Sequence, residues 1–261
     1  MPSTCSFVSL ATIENQPEKH QIAQEISNFY PQSVLAYYLK NLKNFSLDFY
    51  KTYGDEKLKE AINLNQINIS EIVDQSLAQK PLLEKAMQSF CDSVKDLIHS
   101  QIISDDHSLI ISRDNSDQSM NGFLLLKITD ETLYVAQAGV EKGNFRQGVM
   151  TNMIETLVTC QDDELKNIKH IEYITRKWNK VGPNFEQKII DQLTPDLKNP
   201  FSSQKSDPQK YGYNTTEYEG RPIVDIELAR QFYQRKSPST KPNSSSTGDR
   251  LAADLNLKPT F

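Results

Sequence analysis

The residues whose types and spacing best suit binding chemistry lie in 131–160, ETLYVAQAGVEKGNFRQGVMTNMIETLVTC. Gly148 stands just ahead of a helical pattern. A helix start leaves about four backbone N–H groups without partners and carries partial positive charge, so it can hold an anion. A glycine there lets the anion approach the backbone closely. The plain alternative is a strand–turn–helix crossover with no ligand. Other chemistries find less support. The chain has no Gly-x-Ser-x-Gly elbow, no P-loop Gly-Lys-Ser/Thr and no Gly-x-Gly-x-x-Gly. No Cys–His pair is close enough in sequence to suggest a thiol nucleophile. His20, His99, His107 and His170 do not cluster, and no Cys or His pair has zinc spacing, so no metal site is expected.

Several elements must position that glycine. Residues 132–140 are rich in β-branched and aromatic types, as a strand requires, and 141–144 carry turn chemistry. From Gln147 onward, Val149, Met150, Met153, Ile154, Leu157 and Val158 form one helical face. Earlier in the chain, 5–13 reads as a first strand and 17–29 as a helix. The span 31–103 reads as wholly helical. Within it Ser33 is placed to cap a helix carrying Val34 to Leu42, and Ser46 a short one. Residues 57–62 form a third candidate, and Ser70 can cap 71–78. A long helix starting at Pro81 is expected to bury Leu82, Leu83, Ala86, Met87, Phe90, Val94, Leu97 and Ile98. Strands follow at 107–112, 122–128 and 133–140, with short polar connections that predict an antiparallel meander. After the helix, 168–175 reads as a strand lying parallel to its predecessor. A second helix carries Asn179, Gly182, Phe185, Ile189, Ile190 and Leu193. Residues 194–210 read as a loop, and 211–218 with 221–228 as a closing hairpin turned at Glu219-Gly220. From 235 the chain is a Ser/Pro-rich tail, with 251–257 a short helix or free tail.

At these residues the chain resembles the GNAT family of N-acetyltransferases. The family's central motif ends a strand and runs Arg/Gln-x-x-Gly-x-Gly/Ala into a helix whose first amides hold the pyrophosphate of acetyl-CoA. Val140, Gly148 and Thr151-Asn152-Met153-Ile154 match in register; Phe145 stands where Arg or Gln is usual, and Met150 where Gly or Ala is usual. Leu10-Ala11-Thr12 fits the family's first strand-to-helix step, and Gly122-Phe123-Leu124 the opening of its third strand. Asn179-x-x-Gly182-x-x-Phe185 fits the second helix, with Glu186 where the family often has a Tyr that protonates the departing thiolate. The fold implied is an α/β, GNAT-like mixed, mostly antiparallel central sheet flanked by helices. The large helical insertion, 31–103, follows the first helix within a domain spanning 5–234, and 235–261 is the tail.

The resemblance implies an acyl-CoA-dependent N-acyltransferase that moves an acetyl group from acetyl-CoA, as co-substrate, to an amine acceptor, small molecule or protein. Acetyl-CoA would lie on Ala138, Val140, Phe145, Arg146, Gln147, Gly148, Val149, Met150, Thr151, Asn179 and Phe185. Arg146 would pair with a phosphate, and Trp178 would pack over the cofactor or close the core. Glu131 and Glu172 are the candidate bases. Tyr211 and Tyr213 are the candidate proton donors in place of Glu186. The alternative is a catalytically degenerate GNAT-like protein acting as a protein–protein interaction module, with the helical insertion as its partner surface.

The net charge of −5 and pI near 5.5 argue against nucleic acid as a partner. No apolar run approaches the ~18 residues of a membrane span. The first residues lack a basic region and a signal-length apolar core. Three scattered cysteines, Cys5, Cys91 and Cys160, suit a reducing compartment, so a cytoplasmic protein is expected.

Overall fold

The computed structural model describes residues 3–64, 67, 80–104, 106–144 and 147–236. Strand β1 (Ser3–Ser9) leads through a 3-10 turn into helix α1 (Gln16–Leu39). Short helices α2 (Leu47–Tyr53) and α3 (Glu56–Asn63) follow, then the long α4 (Lys80–Ile103). Strands β2 (His107–Asp114), β3 (Met120–Thr129) and β4 (Thr132–Val140) form an antiparallel meander, with β1 antiparallel to β2. Helix α5 (Val149–Thr159) crosses over to β5 (His170–Glu172), which lies parallel to β4. The remainder is β6 (Ile174–Arg176), α6 (Val181–Ile190), β7 (Phe201–Lys205), β8 (Tyr218–Gly220), β9 (Pro222–Asp225) and α7 (Ile226–Lys236). The main sheet has seven strands in the order β1-β2-β3-β4-β5-β9-β7, and β6 with β8 forms a separate two-stranded sheet.

The mixed, mostly antiparallel sheet flanked by helices is the α/β architecture expected from the sequence. Its central strands are apolar on both faces because both are covered. Leu109, Ile111, Phe123 and Leu125 join α1, α2, α3 and α4 in one core cluster. Ile110, Leu124, Leu126, Leu133 and Ile171 join α5 and α7 in the other. Each fully buried aliphatic side chain contributes roughly 1.5–3 kcal/mol relative to exposure.

Several local expectations are corrected. The helix expected to stop at 29 and restart behind a Ser33 cap is one helix, with Pro31 inside it. Ser33 is interior, and its hydroxyl donates to the Tyr30 carbonyl. The apolar face of Ala23, Ile26, Phe29 and Tyr30 continues past the proline through Val34, Leu35 and Tyr38, and its burial outweighs the lost amide bond. Leu97 is 47% exposed, on the outer side of α4. The first strand ends at Ser9, where 3-10 geometry takes over. The strand expected over 168–175 is broken at Tyr173 into β5 and β6. The span 194–210 contains an edge strand, β7. The expected closing hairpin does not form: β8 pairs with β6, β9 pairs with β5 and β7, and 226–236 is helix. Ser46 caps α2 as expected, accepting from the Phe49 amide at 3.0 Å. The helix expected at 71–78 and the short one at 251–257 lie outside the described residues.

Candidate active site

Strands β4 and β5 are paired only at Thr132–His170, Leu133–Ile171 and Tyr134–Glu172. Beyond Tyr134 they part. On the β4 side, the β3–β4 register slips at Leu125/Leu126, so that Val135 pairs with Leu126, Gln137 with Leu125, and Ala136 with no residue of β3. A bulge of this kind bends its strand and leaves a residue outside the ladder. From Val135 to Ala138 the open edge of β4 is half-buried.

On the other side the chain bends at Tyr173. There the Tyr173 hydroxyl donates to Glu186 of α6 at 2.6 Å. Arg221 grips the same carboxylate through Nε at 2.8 Å and a second nitrogen at 2.5 Å, and its amide donates to the Tyr173 carbonyl at 3.2 Å. Burial and the bond to Glu186 push the Tyr173 phenol well above the ordinary range. Past this bend, β6 and β8 leave the main sheet. Arg176 at the end of β6 sits among Phe45, Phe49, Phe90 and Tyr218, 4.6–5.4 Å from the ring centres, and pairs with Glu217 at 2.8 Å. The fork is therefore fixed at its hinge and at its tip.

At the mouth of the fork Gly148 caps α5 with φ 86°, in the left-handed region that favours glycine. A Cβ there would meet no atom within 4 Å, so the space over the turn is open. The amides of Val149, Met150 and Thr151 are the first of the helix and lack intrahelical carbonyl partners by construction. Val149 is buried, and Met150 is half-buried, its side chain packed against the cluster between α5 and the sheet. Gln147 donates its side-chain amide to the Gly143 carbonyl at 2.9 Å. Phe145 and Arg146 lie outside the described residues. Ala138, Val140 and Phe185 line the same cluster as Met150. Asn179 accepts from the Val181 amide at 3.0 Å and lies 3.4 Å from the Tyr37 hydroxyl of α1. Trp178 stacks on Tyr37 with ring centres 6.0 Å apart.

The candidate acid–base residues separate into two groups. Glu131 is 55% exposed and pairs outward with Lys169. Glu172 is buried at the vertex of the fork, directly beside Tyr134 in the parallel register. Tyr211 stacks on Tyr134 with ring centres 3.7 Å apart and planes at 11°. Burial raises the Tyr211 phenol, and it raises Tyr134 further, with help from Tyr213. Tyr213 packs against Tyr218, ring centres 4.7 Å apart. Three groups here escaped sequence reasoning. Lys210 donates to Glu172 at 2.9 Å, Arg221 binds Glu186, and Tyr134 bridges the two strands. Lys210 carried only the signal of a cation in a segment that reads as loop, and Arg221 that of a cation at the start of an expected strand. Beside Glu172, a groove of about 410 Å³ opens along β5, β9 and β7, lined by His170, Ser202, Gln204, Ile223 and Asp225.

No protein-family profile matches the chain, and no curated protein matches it in sequence. Solved structures similar to it include several acetyltransferases. The PaiA N-acetyltransferase of Thermoplasma acidophilum, in complex with coenzyme A, aligns at 13% identity and TM-score 0.42, over 86% of this chain and 99% of its own. A GNAT family acetyltransferase of Elizabethkingia anophelis with acetyl-CoA bound aligns at 14% identity and TM-score 0.37, over 51% and 84%. The ribosomal-protein-S18-alanine N-acetyltransferase of Escherichia coli aligns at 15% and 0.34, over 51% and 76%. Each of these is a distant likeness.

Proposed function

We propose that the chain transfers an acetyl group from acetyl-CoA to an amine acceptor. The observation that carries this reading is the fork: two parallel strands that separate beside a bulge, with an open left-handed glycine turn at the adjoining helix start. The amides of Val149, Met150 and Thr151 hold the pyrophosphate. The pantetheine arm pairs with the free edge of β4 from Val135 to Val140, as an added strand would. The bulge at Ala136 offers a backbone N–H to the thioester carbonyl, where negative charge develops. Glu172 takes the proton of the attacking amine, and Tyr211 is the donor to the departing thiolate.

A thermal-shift titration with acetyl-CoA tests the reading. Stabilisation that grows with the logarithm of ligand is expected. No shift at ~1 mM acetyl-CoA, about a hundred times a ~10 μM Kd, where ~2.7 kcal/mol of stabilisation would appear, overturns it. One observation favours the second reading, an interaction protein on a degenerate site: Glu186 is bound up with Arg221 and Tyr173 and donates nothing to a thiolate. Met150→Ala separates the two. If the native chain ignores acetyl-CoA and the variant binds it, the side chain at 150 closes a site that the backbone still builds.

A further inference from the structure

The vertex of the fork already contains an amine. Lys210 and Tyr211 lie across the last paired residues of β4 and β5. Tyr211 stacks on Tyr134 of β4, and the Lys210 ammonium reaches Glu172 of β5 at 2.9 Å while lying 5.0 Å from the Tyr211 ring centre. Among the described lysine–carboxylate pairs this one is unusual. The other carboxylates are 29–90% exposed at the side chain, whereas Glu172 is 9% exposed. The side chain of Lys210 is itself 49% exposed, so a thioester can reach its nitrogen from solvent. The 209–211 segment is a single 3-10 turn, closed by Gly212 at φ 79°, which presents both side chains to the sheet.

We propose that Lys210 is acetylated by its own chain, with Glu172 as the base, when acetyl-CoA occupies the fork; this rests on the acetyltransferase reading above. A buried carboxylate beside an amine, next to the place where β4 exposes an unpaired edge, is the arrangement an acceptor amine needs, and here the chain supplies the amine. Glu172 removes one ammonium proton and passes it to solvent. The nitrogen lone pair attacks the thioester carbonyl carbon. As the C–N bond forms and the C–S bond breaks, a second proton leaves the nitrogen and ends on the thiolate. The products are the acetyl-lysine amide and the free thiol. The modification removes the charge from Lys210 and dissolves its pairing with Glu172. A carboxylate then faces the fork with the Tyr211 hydroxyl but no cation beside it, ready for an external amine.

The test uses the full chain and acetyl-CoA with no added amine, read by intact mass and by peptide mass spectrometry. Acetyl is expected at Lys210 about tenfold or more ahead of the exposed Lys177, Lys198 and Lys205, because positioning raises the effective concentration of the thioester there. The rate per chain should not change when the protein is diluted at fixed acetyl-CoA. Glu172→Gln, checked for folding by its melting temperature, should bring Lys210 down to the level of the other lysines. Lys210→Arg keeps the ion pair and should remove the modification. Equal acetylation of all four lysines, or a Glu172→Gln variant that still modifies Lys210 at the native rate, overturns the proposal. The thermal shift with acetyl-CoA tells the two readings apart. Binding without modification at Lys210 defeats this inference alone, whereas no binding defeats the acetyltransferase reading and this one with it.

Discussion

Glu186 shows how one residue can trade chemistry for architecture. It accepts three bonds, two from Arg221 and one from Tyr173, and it is buried. A charge held this way stabilises little relative to a well-packed apolar pair, but removing one partner strands the other. Arg221 keeps its pairing with Glu219 at 2.9 Å, so Glu186→Gln is expected to cost about 1.5–3 kcal/mol, read from urea denaturation. A loss under about 1 kcal/mol, the scale of a surface pair, would mean that the network does not hold the bend. His107 offers a pH-dependent counterpart. Its Nδ1 lies 2.6 Å from Asp106, and its Nε2 is buried without a hydrogen-bond partner. Burial lowers its pKa from the ordinary 6.5, against the pull of Asp106. The unfolded chain thus takes up a proton near pH 6.5 that the folded chain resists. Stability should be level above that pH and fall as pH drops through it. Urea midpoints at about pH 7.5 and about pH 5.5 measure the slope, and His107→Gln should flatten it over that interval. A slope unchanged by the substitution would place the titration elsewhere.

At the scale of elements, the turn into α5 makes the sharpest claim. Gly148 has open space around its Cα, so a methyl group meets no atom and only the backbone objects. Gly148→Ala should cost about 1–2 kcal/mol through the left-handed φ alone, and it should reduce the stabilisation given by acetyl-CoA by more than it reduces Tm. Equal acetyl-CoA shifts in the two proteins would remove the turn from the site. This turn was legible because a glycine just ahead of a periodic helical pattern marks a helix start. The meander was legible because three apolar strands follow one another with only short polar connections between them. Other elements were not. Strand β7, Phe-Ser-Ser-Gln-Lys, is a polar edge strand whose residues look like loop because four of the five are exposed. Glu219-Gly220 resembles a hairpin turn, yet Gly220 is there because a Cβ would lie 1.6 Å from the Ser206 carbonyl oxygen, where β7 ends against β8. Helix α7 was readable and missed. Asp225 accepts from the Leu228 amide at 3.0 Å, and Ile226, Ala229, Phe232 and Tyr233 recur at helical spacing. The pairing of Lys210 with Glu172 spans 38 residues and depends on a bend that no local pattern announces.

Across the whole molecule, one side chain connects the helical layer to the small sheet. Arg176 belongs to β6, yet it lies among Phe45 and Phe49 from the α2 region, Phe90 from α4 and Tyr218 from β8. Glu217 completes the enclosure and also accepts from Ser46, the α2 cap. The 7% exposure of the Arg176 side chain leaves it dry enough for its ring contacts to contribute on the order of 2 kcal/mol. Arg176→Leu should cost about 3–5 kcal/mol, since Glu217 loses its buried partner. Arg176→Lys should cost less, because it keeps the charge while losing the planar contact with the rings. The loss should also be local. Tyr173 and Arg221 still anchor the hinge, so the seven-stranded sheet remains and only the tip of the fork loosens. Hydrogen exchange on Arg176→Leu should then show faster exchange at 174–176 and 218–220, with β1, β2 and β3 as protected as in the native chain. If the small sheet keeps its protection, the helices between α1 and β2 do not set the width of the fork. If β2 and β3 lose theirs as well, Arg176 supports the whole core, and the fork has no independent tip to regulate.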